Sequence, residues 1–197
     1  MKKEAIRRIF SHIPELYTER LYLRGMRVAD APDMFDYARD PEVSRFLTWE
    51  PHPNVKFTKS YLTCVGQQYR TGDFFDWAVI HRESGRMIGT CGFTSFRYES
   101  NAGEIGYVLH PDFRGQGLAT EAVRAVLSFG FEELELHRIE ARYMQENIAS
   151  RHLMERVGMT FEGFAREAEL VKGSYRTIGR CAILRQEFIE ERVGGTS

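Results

Sequence analysis

A segment with two closely spaced glycines is the first candidate for chemistry in this chain. It reads Arg114-Gly115-Gln116-Gly117-Leu118-Ala119 and precedes a stretch with the apolar periodicity of an amphipathic helix. The N-terminus of a helix presents unpaired backbone N–H groups and a partial positive charge, which together favour a phosphate. Glycine lets the backbone approach such a ligand, Arg114 adds a cation whose donors suit phosphate, and Thr120 can add a hydroxyl. The segment by itself is equally compatible with a plain tight turn after Pro111.

Two nucleotide-binding motifs compete for this turn. A Walker A loop requires GxxxxGK[ST], which the sequence lacks. A dinucleotide fingerprint requires GxGxxG/A at the opening of a βαβ unit, with an acidic residue about 20 positions later. Here Thr120 occupies the third position, Glu140 falls inside the next predicted strand, and three predicted antiparallel strands precede the turn. The pattern therefore disfavours a nucleotide-binding oxidoreductase.

Composition restricts the class of protein. The chain of 197 residues fits one domain, and no stretch approaches the roughly 18 apolar residues that a membrane span needs, so we expect a soluble protein. Lys and Arg (27) balance Asp and Glu (28), which predicts no general attraction to nucleic acid or to a membrane. Cys64, Cys91 and Cys181 fit neither a disulfide framework nor a zinc site, so a reducing cytoplasm is expected. The six histidines show no metal-binding spacing, and we expect no metal.

The elements that must position the glycine segment are predicted from periodicity. Residues 20–24 alternate like a half-buried strand, and Asp30 is expected to cap a helix that stops before Pro41. A second helix is expected from Pro53 to Gly72. Further elements are antiparallel strands at 74–80, 87–96 and 104–109, a helix at 120–136, a strand at 137–144, a helix at 149–157, and strands at 159–164 and 175–184.

A strand, a crossover helix and a strand in succession imply a parallel pair, so the predicted sheet is mixed. We expect residues 1–16 to form an N-terminal arm or helix, residues 17–190 a single domain, and residues 191–197 a flexible tail.

Taken together, these motifs resemble the GCN5-related N-acetyltransferase (GNAT) superfamily, whose pyrophosphate loop is Q/R-x-x-G-x-G/A. The resemblance is stronger to the RimJ/RimL-like branch, which acetylates the N-termini of ribosomal proteins. Matching segments run along nearly the whole chain: Thr18-Glu19-Arg20-Leu21, Glu104-Ile105-Gly106-Tyr107-Val108-Leu109, Asn147-Ile148-Ala149-Ser150, Gly158-Met159 and Glu162-Gly163.

The resemblance implies a single-domain α/β (α+β) fold. Its mixed, mostly antiparallel sheet is flanked by helices and splays between two central parallel strands, here Glu104–Leu109 and His137–Met144. Acetyl-CoA would bind in this cleft, with its pyrophosphate on residues 114–120 and its pantetheine arm on Asn147. Family members often form homodimers through terminal strands and helices, so the resemblance makes a homodimer an expectation for this chain.

The same resemblance implies direct transfer of acetyl to an amine, without a covalent enzyme intermediate. A backbone N–H at a bulge near Val108–Leu109 would stabilise the oxyanion. Glu104 is the first candidate for taking the amine proton, with Glu50 as a second, although Glu104 is equally interpretable as a residue that is exposed or orients substrate. By resemblance, Ser150 would donate a proton to the departing thiolate. It could instead cap a helix. Many members use a tyrosine for this proton, and Met154 stands in its place.

The acceptor side is less defined. The candidates for a substrate pocket are Glu50 and the aromatic residues Phe46, Trp49, Phe93, Phe96 and Tyr107. Aromatic residues at such spacings are also typical of a core. Relatives often carry aspartate where this chain has Thr177. The acceptor therefore stays open between a protein N-terminal amine and a small molecule such as a polyamine, an aminoglycoside or another antibiotic. A non-catalytic acyl-CoA-binding or sensing domain is the alternative of another class.

Overall fold

A computed structural model describes residues 3–194, with side chains described through residue 190. The strands are Leu16–Tyr17 (β1), Leu21–Arg24 (β2), Phe75–His81 (β3), Met87–Arg97 (β4), Ala102–Leu109 (β5), Arg138–Met144 (β6), Thr160–Val171 (β7) and Ser174–Leu184 (β8). The α-helices are Lys3–Phe10 (α1), Ala31–Ala38 (α2), Pro41–Ser44 (α3), Val55–Thr71 (α4), Leu118–Glu132 (α5), Ile148–Arg156 (α6) and Arg185–Gly194 (α7).

The strands form one sheet in the order β1-β2-β3-β4-β5-β6-β8-β7, in which β5 and β6 are parallel and every other pair is antiparallel. Helix α5 makes the crossover between the parallel strands, as expected. Pairing of β5 with β6 runs from Ala102 opposite Arg138 to Ile105 opposite Ala141 and then stops. The remaining halves of both strands diverge, which confirms the predicted mixed sheet with a splayed central pair.

The two faces of the sheet carry separate layers. Because side chains alternate along a strand, Trp77 and Val79 of β3 join the main core, which helices α1 and α5 cover, while Ala78 and Ile80 contact the layer of α2 and α4. Helix α1 belongs to the N-terminal segment that we expected to be an arm or a helix. Its Phe10 is fully buried, and the ring contacts the rings of Trp77, Phe93 and Phe129.

The boundaries of α4 follow local chemistry and match the predicted helix. The side chain of Asn54 caps the helix by accepting a hydrogen bond from Phe57 N at 2.9 Å. Gly72 ends the helix in the left-handed region at φ 68°, and a Cβ at this position would lie 1.9 Å from the carbonyl oxygen of Arg7. Both the conformation and the close approach require glycine there.

The role expected for Asp30 is corrected. Asp30 occupies the N-cap position of α2, but its carboxylate makes no capping bond to that helix. It accepts two bonds from the Arg24 guanidinium, at 2.7 and 2.8 Å, and a third from Arg27 N at 2.7 Å. A bidentate arginine is the stronger partner for a carboxylate, and here it comes from the neighbouring strand.

The C-terminal part is more regular than predicted. Strand β7 continues well past residue 164, to Val171, and turns into β8 through Lys172 and Gly173, both at positive φ. The last helix, α7, was not predicted, and its backbone includes residues 191–194 of the expected tail. Residues 195–197 lie outside the described residues. Helix α5 begins at Leu118 and ends at Glu132, earlier at both ends than expected.

Candidate active site

The divergence of β5 from β6 opens a cleft of about 650 Å³ through the centre of the sheet. The glycine segment lines the cleft, and so do residues of α3 and of the loop that follows it, among them Phe46 and Leu47. Its walls come from β5, β6 and α6, and they include Tyr107, Val108, Leu109, Arg142, Asn147, Ser150 and Leu153. One cavity therefore joins the predicted phosphate site to Ser150, whereas Glu104, the other predicted catalytic residue, is not among its described lining residues.

The glycine segment, residues 114–117, has the conformation that an anion site needs. Gly115 and Gly117 lie in the left-handed region at φ 74° and 80°, where side chains other than glycine are strained. Helix α5 starts directly after Gly117 with no side-chain cap, so its first N–H groups keep their capacity for a ligand. Arg114 Nε donates to the carbonyl of Leu109 at 3.2 Å, which holds the guanidinium beside the cleft.

The other residues expected to bind the donor divide into two groups. Ala119 and Thr120 line the cleft, and Thr120 is 8% exposed. Leu118 also borders the cleft, but at 1% exposure it belongs chiefly to the core. The side chain of Gln116 donates to Asp112 O at 3.0 Å, so Gln116 contributes its backbone to the loop and its side chain to a local brace.

The free edge of β5 supplies backbone donors at the centre of the cleft. His110 N donates to Ile88 O of β4 at 2.7 Å, and successive residues of a strand direct their N–H groups to opposite sides. The N–H groups of Tyr107 and Leu109 therefore point toward β6, beyond the last paired residue, Ile105. These are the available donors for an oxyanion.

The bulge expected near Val108–Leu109 is not present. Thr90 lies opposite Val108 and Gly89 opposite Leu109 in regular register. The irregularity between these two strands lies instead in β4, between Phe93 and Ser95. The expectation was wrong because splaying of β5 from β6 already frees the N–H groups, and a bulge is not needed for that purpose.

Ser150, Asn147 and Tyr107 come together at the start of α6. Asn147 caps this helix, with its Oδ1 accepting from Ser150 N at 3.2 Å. The hydroxyl groups of Ser150 and Tyr107 lie 2.7 Å apart, and Tyr107 Oη also lies 3.2 Å from the carbonyl of Ser150. Burial raises the pKa of Tyr107, so this hydroxyl stays protonated as a hydrogen-bond partner. Met154 is buried at 1% exposure and offers no donor.

Glu104 lies on the opposite face of β5 from Tyr107, and both of its carboxylate oxygens are engaged. Oε2 pairs with Arg142 Nε at 2.8 Å, and Oε1 accepts from Thr94 Oγ1 at 3.1 Å. Arg142 lines the cleft and also pairs with Glu169 of β7. The sequence interpretation missed Arg142 and Glu169. The alternation of Arg138, Glu140 and Arg142 along β6 was the available signal for a charged sheet face.

The residues that were predicted to form a substrate pocket do not all lie at the cleft. Phe46 lines the cleft and packs against Met144, Val171 and Ile178, and Tyr107 lines the cleft from β5. Phe93 is 2% exposed and packs in the main core, so it does not reach the cleft.

Trp49 packs on the layer of α2 and α4, beside His52. The side chain of Glu50 is 73% exposed, and its nearest cation is Lys172 at 3.8 Å. Neither residue lines the cleft as the structure describes it.

His110 stabilises the chain just before the glycine segment. It is 6% exposed, and its Nδ1 accepts from Asp112 N at 3.1 Å, which leaves the proton on Nε2 facing Asp36 Oδ2 at 3.2 Å. The hydrogen bond from His110, together with Arg86, lowers the pKa of Asp36. This network fixes the chain between β5 and the glycine segment.

Residues 20–160 match a family model described as an acetyltransferase (GNAT) domain, and the chain belongs to this family. An uncharacterized N-acetyltransferase, p20 of Bacillus licheniformis, is 34% identical over 88% of this chain and 97% of its own length. The [ribosomal protein uS5]-alanine N-acetyltransferase of Escherichia coli is 29% identical over 84% of this chain and 89% of its own. The Escherichia coli spermidine N(1)-acetyltransferase is 24% identical over 54% of this chain and 58% of its own length.

Solved structures agree with the fold. A GNAT-family acetyltransferase from Bacillus anthracis superposes with a TM-score of 0.78 at 26% identity, covering 88% of this chain and 99% of that one. The protein is therefore an N-acetyltransferase of the GNAT family. Within the described residues, no helix has the length and apolarity to cross a membrane, and no group of three or more His, Cys, Asp or Glu side chains is arranged to hold a metal ion.

Proposed function

We propose that the enzyme transfers acetyl from acetyl-CoA directly to a single primary amine, and that the acceptor is the N-terminal amine of a protein. The observation that carries this proposal is the continuity of the cleft. The glycine segment, Ser150 and Phe46 all line one cavity. In this proposal the glycine segment forms the donor end, the loop after α3 with Phe46 forms the acceptor end, and the two substrates meet near Ser150. Such alignment alone lowers the barrier by several kcal/mol.

The donor substrate fits the residues at the first end. The N–H groups at the start of α5, Arg114 and the Thr120 hydroxyl supply donors for a pyrophosphate. The free edge of β5 and the amide of Asn147 supply polar partners for the pantetheine arm. Val108 and Leu109 flank that arm with apolar surface. In this proposal residues 114–120 hold the phosphates and β5 aligns the thioester.

The reaction needs an oxyanion donor and a proton for the leaving thiolate. The uncharged amine attacks the thioester carbonyl, and the N–H of Tyr107 or Leu109 stabilises the oxyanion. As the C–S bond breaks, the sulfur takes the proton of Ser150 Oγ, and Tyr107 keeps that hydroxyl oriented toward the cleft. Solvent then returns a proton to Ser150. Many family members carry a tyrosine at the α6 position that Met154 occupies here. Tyr107 of β5 supplies a tyrosine hydroxyl next to Ser150 instead.

The proton released by the amine requires a base, and Glu104 is our candidate. Its side chain is 15% exposed and contacts Arg142, which lines the cleft. Because both carboxylate oxygens are engaged, the proton must reach Glu104 through water or after Arg142 moves. Glu50 is further from the cleft and is the weaker alternative. A water relay to an ordered carboxylate is an ordinary route for general-base catalysis.

Charge at the cleft favours an acceptor with one amine. Among the described lining residues the single carboxylate is Glu42, against the cations of Arg114, Arg142 and Arg156. A polyamine or an aminoglycoside carries several positive charges and would need several carboxylates for recognition. The apolar wall at Phe46, which packs on the buried Ile178, suits the first side chains of a peptide. The uS5 relative acts on a protein, whereas the spermidine relative makes a polyamine the second candidate.

The test is thiol release from acetyl-CoA across N-terminal peptides, polyamines and aminoglycosides. We expect turnover with peptides whose α-amine is free and none above background with the polycations. Turnover confined to spermidine would instead establish the second candidate. Tight binding of acetyl-CoA without turnover of any amine would support a sensing domain.

We also propose a cytoplasmic location. All three cysteines are free thiols, and two of them, Cys91 and Cys181, are buried. Burial raises the pKa of the Cys181 thiol to about 11, which keeps it protonated and unreactive. Fractionation of the source cells, with activity in the membrane or secreted fraction as the contrary result, tests this location.

A further inference from the structure

A polar cluster outside the cleft contacts the back of the glycine segment. Strands β1 and β2 are joined by a turn that contains Thr18 and Arg20, and this turn lies against the first turn of α5 at Glu121. We infer that Arg20, held by Glu121, is a positioning residue that fixes the glycine segment for the phosphates of the donor. This inference rests on the proposed binding of acetyl-CoA.

The Glu121 carboxylate organises the cluster by accepting three hydrogen bonds and forming an ion pair. Its Oε1 accepts from Thr18 Oγ1 at 2.6 Å and from Arg20 N at 2.8 Å. Its Oε2 accepts from Arg20 Nε at 2.7 Å and forms an ion pair with Arg20 Nη2 at 2.7 Å. The side chain of Glu121 is 17% exposed and that of Arg20 is 43% exposed, so the carboxylate is the more shielded partner. Two guanidinium nitrogens on one carboxylate oxygen, together with the bond from Arg20 N to the other oxygen, restrict the orientation of the guanidinium.

In that orientation Arg20 reaches the glycine segment itself. Its Nη1 donates to the carbonyl of Gln116 at 2.8 Å, across a sequence separation of 96 residues. The C=O of residue 116 and the N–H of Gly117 belong to one planar trans peptide and point in opposite directions. Fixing the carbonyl therefore fixes the direction of the Gly117 N–H, and Gly117 lines the cleft.

The two glycines of the segment have few contacts of their own, although Arg114 and Gln116 bond to residues just before the segment. A Cβ on Gly115 would meet no atom within 4 Å, and Gly117 begins the helix without a side-chain cap. Glycine loses more conformational freedom on ordering than any other residue, so an untethered segment would pay that cost when the donor binds. Because Arg20 and Glu121 order the segment when the protein folds, part of this conformational entropy is already lost before the donor binds.

Arg82 provides a matched control. Its Nη1 donates to the carbonyls of Thr18 at 2.8 Å and Glu19 at 3.0 Å, so it supports the same turn. None of its hydrogen bonds goes to the glycine segment. Loss of Arg82 therefore weakens the turn and leaves the bond from Arg20 to Gln116 in place.

The experiment compares the dissociation constant of CoA for the unmodified enzyme with those for Arg20→Ala, Glu121→Gln and Arg82→Ala. We expect CoA to bind at least tenfold more weakly to Arg20→Ala, severalfold more weakly to Glu121→Gln, and within twofold of normal to Arg82→Ala. Thermal unfolding without CoA checks that each variant is folded. Should Arg20→Ala not fold, Glu121→Gln carries the test.

A second readout uses S-acetylpantetheine, which lacks the pyrophosphate. In Arg20→Ala, kcat/KM should fall at least tenfold with acetyl-CoA and less than twofold with S-acetylpantetheine. Equal losses with the two donors, or equal weakening of CoA by Arg20→Ala and Arg82→Ala, would overturn the inference and leave a purely structural role. An unmodified enzyme that binds no CoA would instead refute the proposed function.

Discussion

The two ends of the cleft are built in different ways. The proposed phosphate site at the donor end is one continuous stretch, from the last residues of β5 through the glycine segment to the first turn of α5. The acceptor end assembles Phe46, Met144, Val171 and Ile178 from separate elements, and Lys172 joins it by donating to Ser44 O at 2.8 Å across 128 residues. A contiguous site is readable as a motif, whereas a site assembled by tertiary contacts is not. This difference explains why the donor is easier to assign than the acceptor.

Ser150 lies where the two ends meet, and its replacement should produce the largest effect. Without its hydroxyl, the thiolate must leave unprotonated, and general acid catalysis contributes on the order of 10²-fold or more. We expect Ser150→Ala to lower kcat by about 10²-fold. Steady-state kinetics at saturating acetyl-CoA measures the effect.

The matched control for Ser150 is Ser60→Ala, which removes an exposed hydroxyl that bonds to Lys56 O within α4. It should leave kcat unchanged. If Ser150→Ala keeps more than half of the normal kcat, Ser150 is a helix residue and not the acid.

Phe46 tests whether the acceptor end works separately from the donor end. Removing its half-buried ring removes apolar contact with the acceptor, which should weaken the binding free energy of the acceptor by ~1.5 kcal/mol. We expect Phe46→Ala to raise the KM of a peptide acceptor about tenfold and to leave the KM of acetyl-CoA within twofold. Equal changes in the two KM values would show that the ends are not independent.

Tyr107 should give a smaller effect that is expressed in kcat. A neutral hydrogen bond contributes about 0.5–1.5 kcal/mol, so Tyr107→Phe should lower kcat about threefold to tenfold. If Tyr107 acts through Ser150, the double variant with Ser150→Ala should be no slower than Ser150→Ala alone. Fully additive losses in this cycle would assign Tyr107 an independent role.

Asp76 should affect stability and leave catalysis unchanged. It lies beneath the layer of α2 and α4, its Oδ1 is shielded from solvent without a hydrogen-bond partner among the described residues, and burial raises its pKa to about 7. A raised folded-state pKa means that its contribution to stability is complete below about pH 4 and is lost as the pH rises toward 7.

Asp76→Asn removes this titration. Thermal melts from pH 5 to pH 8 should show the variant gaining stability relative to the unmodified enzyme as the pH rises, with kcat at pH 7 unchanged. A constant difference in Tm across this range would contradict the assignment.

The sequence predicted most of the fold and the position of the glycine segment before α5, for physical reasons. Alternation and helical periodicity placed the meander, α4, α5 and β6, and the two glycines marked the start of α5. The extension of β7 was missed because three of its seven residues, 165–171, are charged and four are exposed, so an apolar alternation is hard to recognise. The positions of Phe93 in the core and Phe46 at the cleft depend on tertiary packing, which spacing along the chain does not encode.

The central claim is that the donor end aligns acetyl-CoA for attack by one protein α-amine. The most direct measurement uses a peptide with a free N-terminus and an internal lysine, together with the same peptide blocked at its N-terminus. Mass spectrometry locates the acetyl group after incubation with acetyl-CoA. The account predicts one acetyl group on the α-amine and none on the blocked peptide. Acetylation of lysine in both peptides, or of spermidine in preference to either, would contradict it.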